Sequence, residues 1–148
     1  MRVVVQRVKY ATCTVDGKIT GKCDKGFMLL IGFKEGDTEA QMDKMLKKVS
    51  GMRIFEDENG KMNRSLADVN GSILAISQFT LYADCKRGNR PSFTEAMHYE
   101  TASAYYDKFC DELNKLGIHT EKGIFGADMK VELLNDGPVT ILLDSDDL

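Results

Sequence analysis

The sequence has no apolar run close to the roughly 20 residues that a membrane-spanning helix requires. Its first residues, Met1 to Arg7, contain an apolar run of only three valines, which does not match the plan of a secretory signal peptide. From these two absences we expect a protein of the cytoplasm that has no membrane partner.

The cysteines do not form a metal-binding or disulfide pattern. None of the four is spaced as C-x-x-C, so a zinc site is not indicated. Cys13 and Cys23 flank a predicted turn at Asp16-Gly17, and a two-residue turn there would place Cys13 opposite Thr20. A disulfide between them would need a different register, so we expect all four cysteines to be reduced thiols.

Several catalytic and nucleotide-binding motifs are also missing. The chain contains no G-x-x-x-x-G-K-[ST], no G-x-G-x-x-G and no G-x-S-x-G segment. It has only two histidines, His98 on a predicted helix and His119 just past the end of that helix. A Ser-His-Asp mechanism therefore has little support, and we expect no metal and no organic cofactor.

Length and charge limit the remaining classes of protein. The 148 residues fit a single domain spanning residues 1–148, and the net charge of −3 argues against a large basic interface for nucleic acid. Either of the two local basic clusters, taken alone, is more often a solvated face than a phosphate site. The clusters are Lys44, Lys47, Lys48 and Arg53, and then Lys86, Arg87 and Arg90.

The first half of the chain contains clear strand and helix signals. Valine-rich residues 1–15 and residues 18–23 are predicted to pair through a type I′ turn at Asp16-Gly17. The continuous apolar run 26–33 is typical of a buried strand. A helix is expected from Asp37 or Thr38 to Gly51, followed by strands near 52–56 and 61–64. One face of this helix is apolar at Met42, Met45, Leu46 and Val49.

The second half predicts a long strand, a long helix and a final hairpin. The strand covers residues 72–82, and a capping-box pattern at Ser92 and Glu95 starts a helix that ends near Leu116. The expected core face of this helix consists of Tyr105, Phe109, Leu113 and Leu116. Strands 127–134 and 139–143 flank a turn at 135–138. The predicted fold is an α+β domain with a mainly antiparallel, barrel-like sheet and two principal helices packed on it.

One polar segment interrupts an apolar strand. Ser77, Gln78, Phe79 and Thr80 follow the run Ile73–Ile76, and in an extended chain Gln78 and Thr80 would share one face. The strand could simply emerge into solvent at this point. Alternatively, the hydroxyl, amide and backbone N–H groups could form a polar floor that holds an ester carbonyl.

A second segment, Asn135-Asp136-Gly137-Pro138-Val139-Thr140, has the composition of a turn before a strand. Only about 5–6% of X–Pro bonds are cis in folded proteins, so composition alone does not predict a cis bond.

Taken together, five segments are similar to the D-aminoacyl-tRNA deacylase family, and the resemblance covers essentially the whole chain. Each segment alone is weakly specific, but their order and the length of the chain match the family. The segments are MRVVVQRV at 1–8, SQFTLY at 77–82, KRGNRPSF at 86–93, GIFGADM at 123–129 and NDGPVT at 135–140.

The resemblance implies an enzyme that hydrolyses the ester between a D-amino acid and the 3′-terminal adenosine of tRNA. It implies a homodimer with its active sites at the subunit interface. The catalytic residues would be Ser77, Gln78, Phe79 and Thr80. Glycyl-tRNA would also be accepted if selection acts only against L side chains.

The resemblance also assigns residues to substrate and tRNA binding. Gly137-Pro138 would be a cis peptide whose carbonyls enter the neighbouring pocket, recognise the amino group and leave no room for an L side chain. Arg7 would help to hold that loop, although it could equally be an ordinary strand arginine. Phe125 and Met129 would form a pocket wall, or simply core. The tRNA would be contacted by Lys86, Arg87 and Arg90.

Two mechanisms and two other functions remain open at this point. The 2′-hydroxyl of the terminal ribose could help to activate water, or Thr80 could be a covalent nucleophile, although no base for Thr80 is evident. A non-catalytic tRNA- or DNA-binding module and a general Thr-dependent esterase are the other two functions.

Overall fold

One long strand organises the sheet in the computed structural model, which describes residues 1–148. Val3 and Val5 of this strand are fully buried, and their neighbours Arg2, Val4 and Gln6 are only partly buried, because alternate side chains of a strand face the core. The elements in chain order are β1 Arg2–Val15, β2 Lys18–Cys23, β3 Gly26–Gly32, α1 Glu39–Gly51, β4 Phe55–Glu56, β5 Met62–Arg64, β6 Ser72–Ser77, α2 Tyr99–Lys115, β7 Thr120–Lys122 and β8 Lys130–Asp144.

The sheet is mainly antiparallel, as predicted, with two parallel pairings. β1 pairs antiparallel with β2, β3 and β8, whereas β6 pairs parallel with both β3 and β7. The sheet curls until β2 approaches β7, where the Lys22 N–H donates to Glu121 Oε1 at 3.1 Å. A Cβ on Gly21 would lie 2.5 Å from the Lys122 carbonyl oxygen, so only glycine allows this approach. The domain is therefore α+β with a nearly closed, barrel-like sheet.

The first hairpin has the predicted turn but a different register. Asp16 and Gly17 both have positive φ, 50° and 79°, as a type I′ turn requires. A register shift after Cys13 places this residue opposite Gly21 and not opposite Thr20. The prediction failed because a bulge adds a residue that the alternation pattern does not reveal. All four cysteines are free.

Helix α1 begins and packs as its sequence predicts. The Thr38 hydroxyl accepts from Ala40 N at 3.3 Å, and the Gln41 side chain accepts from Thr38 N at 2.7 Å. This reciprocal cap satisfies N–H groups that have no acceptor within the helix. The predicted core face is buried, and it consists of Met42, Met45, Leu46 and Val49.

Helix α2 begins at Tyr99, so the predicted start at Ser92 is wrong. Ser92 instead exchanges two backbone hydrogen bonds with Asp84, of 2.9 and 2.7 Å, and the Glu95 carbonyl accepts from Glu35 N at 3.0 Å. Asp84 lies before the predicted helix and Glu35 lies far away in sequence, and these partners hold the segment outside the helix. His98 consequently precedes the helix and does not lie on it.

The buried face of α2 is also partly different from the predicted one. Phe109 and Leu113 are buried as expected, but Leu116 follows the last helical residue and is 58% exposed. Tyr106, rather than Tyr105, lies in the core, and its hydroxyl donates to the Ala75 carbonyl at 2.7 Å. Burial raises the pKa of Tyr106, so its hydroxyl remains a neutral donor.

The remaining predicted strands differ in length. β4 and β5 pair with each other as a separate small sheet, and both are shorter than the predicted 52–56 and 61–64. β8 begins at Lys130 rather than at residue 127 and continues through the expected turn at 135–138. Neither α1 nor α2 is long and apolar enough to span a lipid bilayer.

Candidate functional site

A cleft of about 530 Å³ lies between the end of β6, the start of α2 and the loop before β8. Its lining is mostly apolar, and its size is that of a typical small-molecule site. Five of the residues selected from the sequence meet in this cleft, although they come from two distant segments. They are Ser77, Gln78, Phe79, Phe125 and Met129.

The polar floor of the cleft is formed where β6 ends. The Gln78 N–H donates to the Ile31 carbonyl at 2.7 Å, and the chain then turns into a short 3₁₀ helix, Phe79–Tyr82. A Cβ on Gly32 would lie 2.8 Å from the Gln78 carbonyl oxygen, so this glycine of β3 lets the turn approach. The predicted extension of the strand to Tyr82 is therefore wrong.

Gln78 and Thr80 are neighbours, but not because they alternate along a strand. The Gln78 Nε2 donates a hydrogen bond to Thr80 Oγ1 across the start of the 3₁₀ helix. Thr80 and Phe79 are both exposed, but only Phe79, which is 55% exposed, lines the cleft. The Phe79 ring is held by an edge-on contact with Phe93, with ring centroids 5.1 Å apart. The tight turn therefore presents an aromatic face and an amide side by side.

The opposite wall of the cleft is held by Tyr99, which sequence reasoning missed. Its ring meets Phe125 edge-on at 4.9 Å, and its hydroxyl donates to the Phe125 carbonyl at 3.2 Å. Gly126 has φ +79°, and a Cβ there would lie 2.7 Å from the Tyr99 ring. Tyr99 was missed because the misplaced helix start put it in the second turn of a helix rather than at its first residue.

The Gly137-Pro138 peptide bond is cis, which confirms the expectation drawn from the family resemblance. Both residues are exposed. Gln6 pairs with Thr140 and Val8 with Asn135, so residues 136–139 of β8 bulge outwards opposite Arg7 alone. The bulge forms a loop, called here the Gly-Pro loop (residues 136–139).

The Gly-Pro loop is held from both sides. Arg7 is 7% exposed, and its guanidinium donates to the Asp136 carbonyl at 2.9 Å and to the Ile54 carbonyl at 2.6 Å. On the other side, Asn135 Oδ1 accepts from Val139 N at 2.7 Å and Asn135 Nδ2 donates to the Val139 carbonyl at 3.2 Å. The loop is thus exposed but well ordered. The resemblance predicted a contact of Arg7 with this loop, whereas the bracketing role of Asn135 was not anticipated.

Other candidate residues lie outside the cleft. Arg7, Gly137 and Pro138 are not part of its lining in a single chain. Both histidines are exposed, and His119 Nε2 lies 2.7 Å from Glu121 Oε2. The three basic candidates occupy an exposed loop between the paired residues Asp84 and Ser92. These are Lys86, Arg87 and Arg90.

Comparisons with known proteins agree over almost the full length. The family model described as D-Tyr-tRNA(Tyr) deacylase matches residues 4–144. A protein of Lactobacillus gasseri named D-aminoacyl-tRNA deacylase is 55% identical over 144 residues, which is 97% of this chain and 99% of the relative. One of Lactobacillus acidophilus with the same name is 56% identical, with the same coverage.

Two solved structures share the fold. The first, named c-Myc DNA Unwinding Element Binding Protein, has a TM-score of 0.91 and 40% identity, and the match covers 97% of this chain and 98% of that one. The second is described as a probable eukaryotic D-amino acid tRNA deacylase, with a TM-score of 0.84 and 18% identity; coverage is 96% and 97%. At 18% identity, the similarity to the second structure supports the fold alone.

Proposed function

The chain belongs to the D-aminoacyl-tRNA deacylase family and is a hydrolase of D-aminoacyl-tRNA, and we propose that hydrolysis occurs in the cleft beside Gln78 and Phe79. Water attacks the ester between the amino acid and the 3′-terminal adenosine, and free D-amino acid and tRNA are released. This removes misacylated tRNA before it is used, so the reaction is a proofreading step of translation. We place it in the cytoplasm, where aminoacyl-tRNA is consumed.

One observation carries the assignment of the cleft. An apolar cleft of about 530 Å³ ends in a turn where the Gln78 amide and the exposed Phe79 ring lie together. The aromatic face suits stacking with a base. The first N–H groups of a 3₁₀ helix have no acceptor within the helix, so those of Phe79 and Thr80 are suited to stabilise the oxyanion of a tetrahedral intermediate.

The chemistry beside Thr80 favours help from the substrate over a covalent enzyme intermediate. A threonine nucleophile needs an adjacent base, but the group bonded to its hydroxyl is the Gln78 amide, which donates and does not accept a proton. Neither histidine belongs to the cleft lining. We propose that the vicinal 2′-hydroxyl of the terminal ribose helps to activate the attacking water.

Selection for the D form is assigned to the Gly-Pro loop acting within a homodimer. The loop is exposed yet held by a buried arginine, which suits a rigid probe for a second subunit's cleft. Its carbonyl groups would accept charge-assisted hydrogen bonds from the substrate ammonium. An L side chain, placed with the same ammonium and ester contacts, would collide with the loop. Glycine has no side chain and would escape this filter, so glycyl-tRNA is expected to be cleaved as well.

Contact with the tRNA beyond its 3′ end is assigned to the loop that follows the pocket turn. This loop adjoins the Phe79–Phe93 pair, so its cations lie beside the mouth of the cleft. Reversal of charge at Arg87 and Arg90 should weaken tRNA binding. Because the chain carries a net charge of −3, the salt dependence should correspond to a few phosphates rather than about ten. The cations are Lys86, Arg87 and Arg90.

The direct test is ester loss from matched D- and L-aminoacyl-tRNAs that carry the same amino acid. We expect rapid loss of the D ester, loss of the glycyl ester and survival of the L ester. Equal cleavage of both enantiomers would contradict stereochemical selection. A small D-amino-acid ester without ribose serves as the control, because a general Thr-dependent esterase would cleave it as well.

Binding of DNA is a second candidate function, favoured by one observation. A structure that is 40% identical over nearly the whole chain is named for binding a DNA unwinding element. This function predicts stable binding of duplex DNA by the protein. It also predicts no dependence on the stereochemistry of an ester. Binding measured with DNA and tRNA of equal phosphate number, next to the cleavage assay, separates the two functions.

A further inference from the structure

Helix α1 carries a row of cations that form no ion pair within 4 Å. Lys44, Lys47 and Lys48 lie at relative positions i, i+3 and i+4 on its exposed face, and Arg53 follows the end of the helix. None of the four takes part in any of the ion pairs of the molecule. The three lysines line a shallow depression together with Gly51, Met52 and Leu148. We call these four cations the α1 basic patch.

The α1 basic patch differs from helix α2, whose exposed lysines are paired. Five other lysines pair with a carboxylate, for example Lys108 with Glu39 at 2.5 Å and Lys115 with Glu112 at 2.9 Å, whereas three unpaired lysines share one exposed face of α1. Asp43 lies one turn before Lys47 but forms no ion pair with it. Like charges one turn apart repel each other by about 0.2–0.5 kcal/mol per pair. In a chain of net charge −3, three unpaired lysines on one helix face, with Arg53 just after the helix, favour an anionic partner.

The position of the patch suggests which anion binds there. Arg53 precedes Ile54, whose carbonyl accepts one of the two hydrogen bonds of Arg7. The second bond of Arg7 holds Asp136 in the Gly-Pro loop. The turn after α1 and the Gly-Pro loop are therefore joined through one buried side chain. In the proposed homodimer, the Arg53 end of the α1 basic patch would therefore lie beside the cleft that the loop enters.

We propose that the α1 basic patch binds the phosphate backbone of the tRNA whose 3′ ester occupies that cleft. This inference rests on the proposed function, because it takes the position of the Gly-Pro loop from it. The loop contributes its carbonyls to the amino acid, and the neighbouring patch contributes lysine and arginine cations to the RNA. In the homodimer, one subunit thus supports both ends of the substrate held by the other.

The test compares two double variants with the same change of charge. Lys44→Glu/Lys48→Glu reverses the patch, and Lys108→Glu/Lys115→Glu reverses two paired lysines of α2. Affinity for uncharged tRNA is measured over a range of salt concentrations. We expect the patch variant to bind about tenfold more weakly at low salt and to lower the salt slope by about 1 to 2, because it removes two phosphate contacts. The α2 variant should change affinity less than about twofold.

Two further measurements keep the inference separate from the proposed function. Cleavage of D-aminoacyl-adenosine, which has the ester but no phosphate backbone, reports whether the cleft of the patch variant is intact. Lys44→Gln/Lys48→Gln removes charge without reversing it and should lower the salt slope by the same 1 to 2, roughly, because the same two phosphate contacts are lost, with a smaller loss of affinity. Equal tRNA binding by the patch and α2 variants would overturn the inference. Failure of the unaltered protein to cleave either D ester would instead overturn the proposed function.

Discussion

The guanidinium of Arg7 donates a 2.9 Å hydrogen bond to the carbonyl oxygen of Asp136, and this contact ties β1 to the Gly-Pro loop. A second donor of the same guanidinium reaches the carbonyl of Ile54 at 2.6 Å. Arg7 is almost fully buried and has two backbone acceptors. The loop is therefore positioned from inside the molecule, while its own residues Gly137 and Pro138 remain exposed.

Replacement of Arg7 by lysine should disconnect these two carbonyls. A compact ammonium on a flexible stem does not reproduce the planar fork that reaches both acceptors. We expect Arg7→Lys to lose about 1–3 kcal/mol of unfolding free energy, since a carbonyl is left without its donor. D-aminoacyl-tRNA cleavage should fall at least about tenfold, because small displacements of positioning groups are costly. Arg64→Lys, at an exposed arginine paired with Glu58, is the matched control, and equal activity of the two variants would contradict this role for Arg7.

A side chain at position 137 should disturb the loop directly. A Cβ on Gly137 would lie 2.7 Å from Val139 Cγ2 and 2.9 Å from Val139 N, at a φ of +147° that L residues rarely adopt. Gly137→Ala should cost about 1–3 kcal/mol of stability and reduce cleavage at least about tenfold. Gly60→Ala provides the control, because Gly60 also has positive φ but no atom within 4 Å of its Cβ position. That control should lose some stability and keep full activity in the deacylation assay.

The two mechanisms differ in their demand on the Thr80 hydroxyl. If the substrate's 2′-hydroxyl assists, Thr80→Val should keep measurable cleavage, within about 100-fold of the original, because only a hydrogen bond to Gln78 is lost. A tRNA ending in 2′-deoxyadenosine should be cleaved much more slowly. Near-total loss in Thr80→Val, together with a trapped acyl-enzyme, would establish the covalent route. Unchanged cleavage of the deoxy substrate would rule out assistance by the ribose.

A buried ion pair outside the cleft lining is expected to contribute to stability. The Met1 ammonium lies 2.8 Å from Asp37 Oδ2, and both are buried, while Ser145 Oγ accepts from the same ammonium at 2.9 Å. Asp37→Ala would leave a buried charge without its partner, at a cost of about 3–5 kcal/mol in unfolding free energy. Asp146→Asn, at an exposed carboxylate paired with Lys34, should change stability little. Denaturant unfolding measures both variants, and equal midpoints would contradict the prediction.

Thiol chemistry should be confined to one cysteine in the folded protein. Burial raises the pKa of Cys23 to about 11 and that of Cys110 to about 12, and Cys13 is fully buried. Only Cys85 is exposed. At neutral pH we expect a thiol reagent to modify Cys85 first, because both access and the thiolate form are required. Mass spectrometry should find a single rapid modification, and Cys85→Ser should abolish it; rapid labelling of a second thiol would show that the core opens.

The sequence by itself determined the turns and helix ends whose stabilising contacts lie within a few residues along the chain. Asp16-Gly17 selects its turn because both positions need positive φ, and Thr38 caps α1 through neighbours two and three residues away. The apolar face of α1 follows directly from helical periodicity. The family's two polar segments likewise identified residues 77–80 and the Gly-Pro loop from the sequence alone, although a strand and not a turn was predicted at Gln78.

Only the tertiary structure decided the features that depend on backbone partners outside the local helix or strand pattern. Ser92 lies outside α2 because it bonds to Asp84, and β6 ends where Gln78 makes its last bond to Ile31. Neither the start of α2 nor the end of β6 can be predicted from the local sequence, because a capping box favours an earlier helix start and an apolar run favours a longer strand. Tyr99 lies in the cleft wall because α2 begins at this residue and not near Ser92. At Gln78 the hydrogen bond to β3 outweighs local strand propensity, because Ile31 is buried and a buried carbonyl left without a partner costs more than propensity gains.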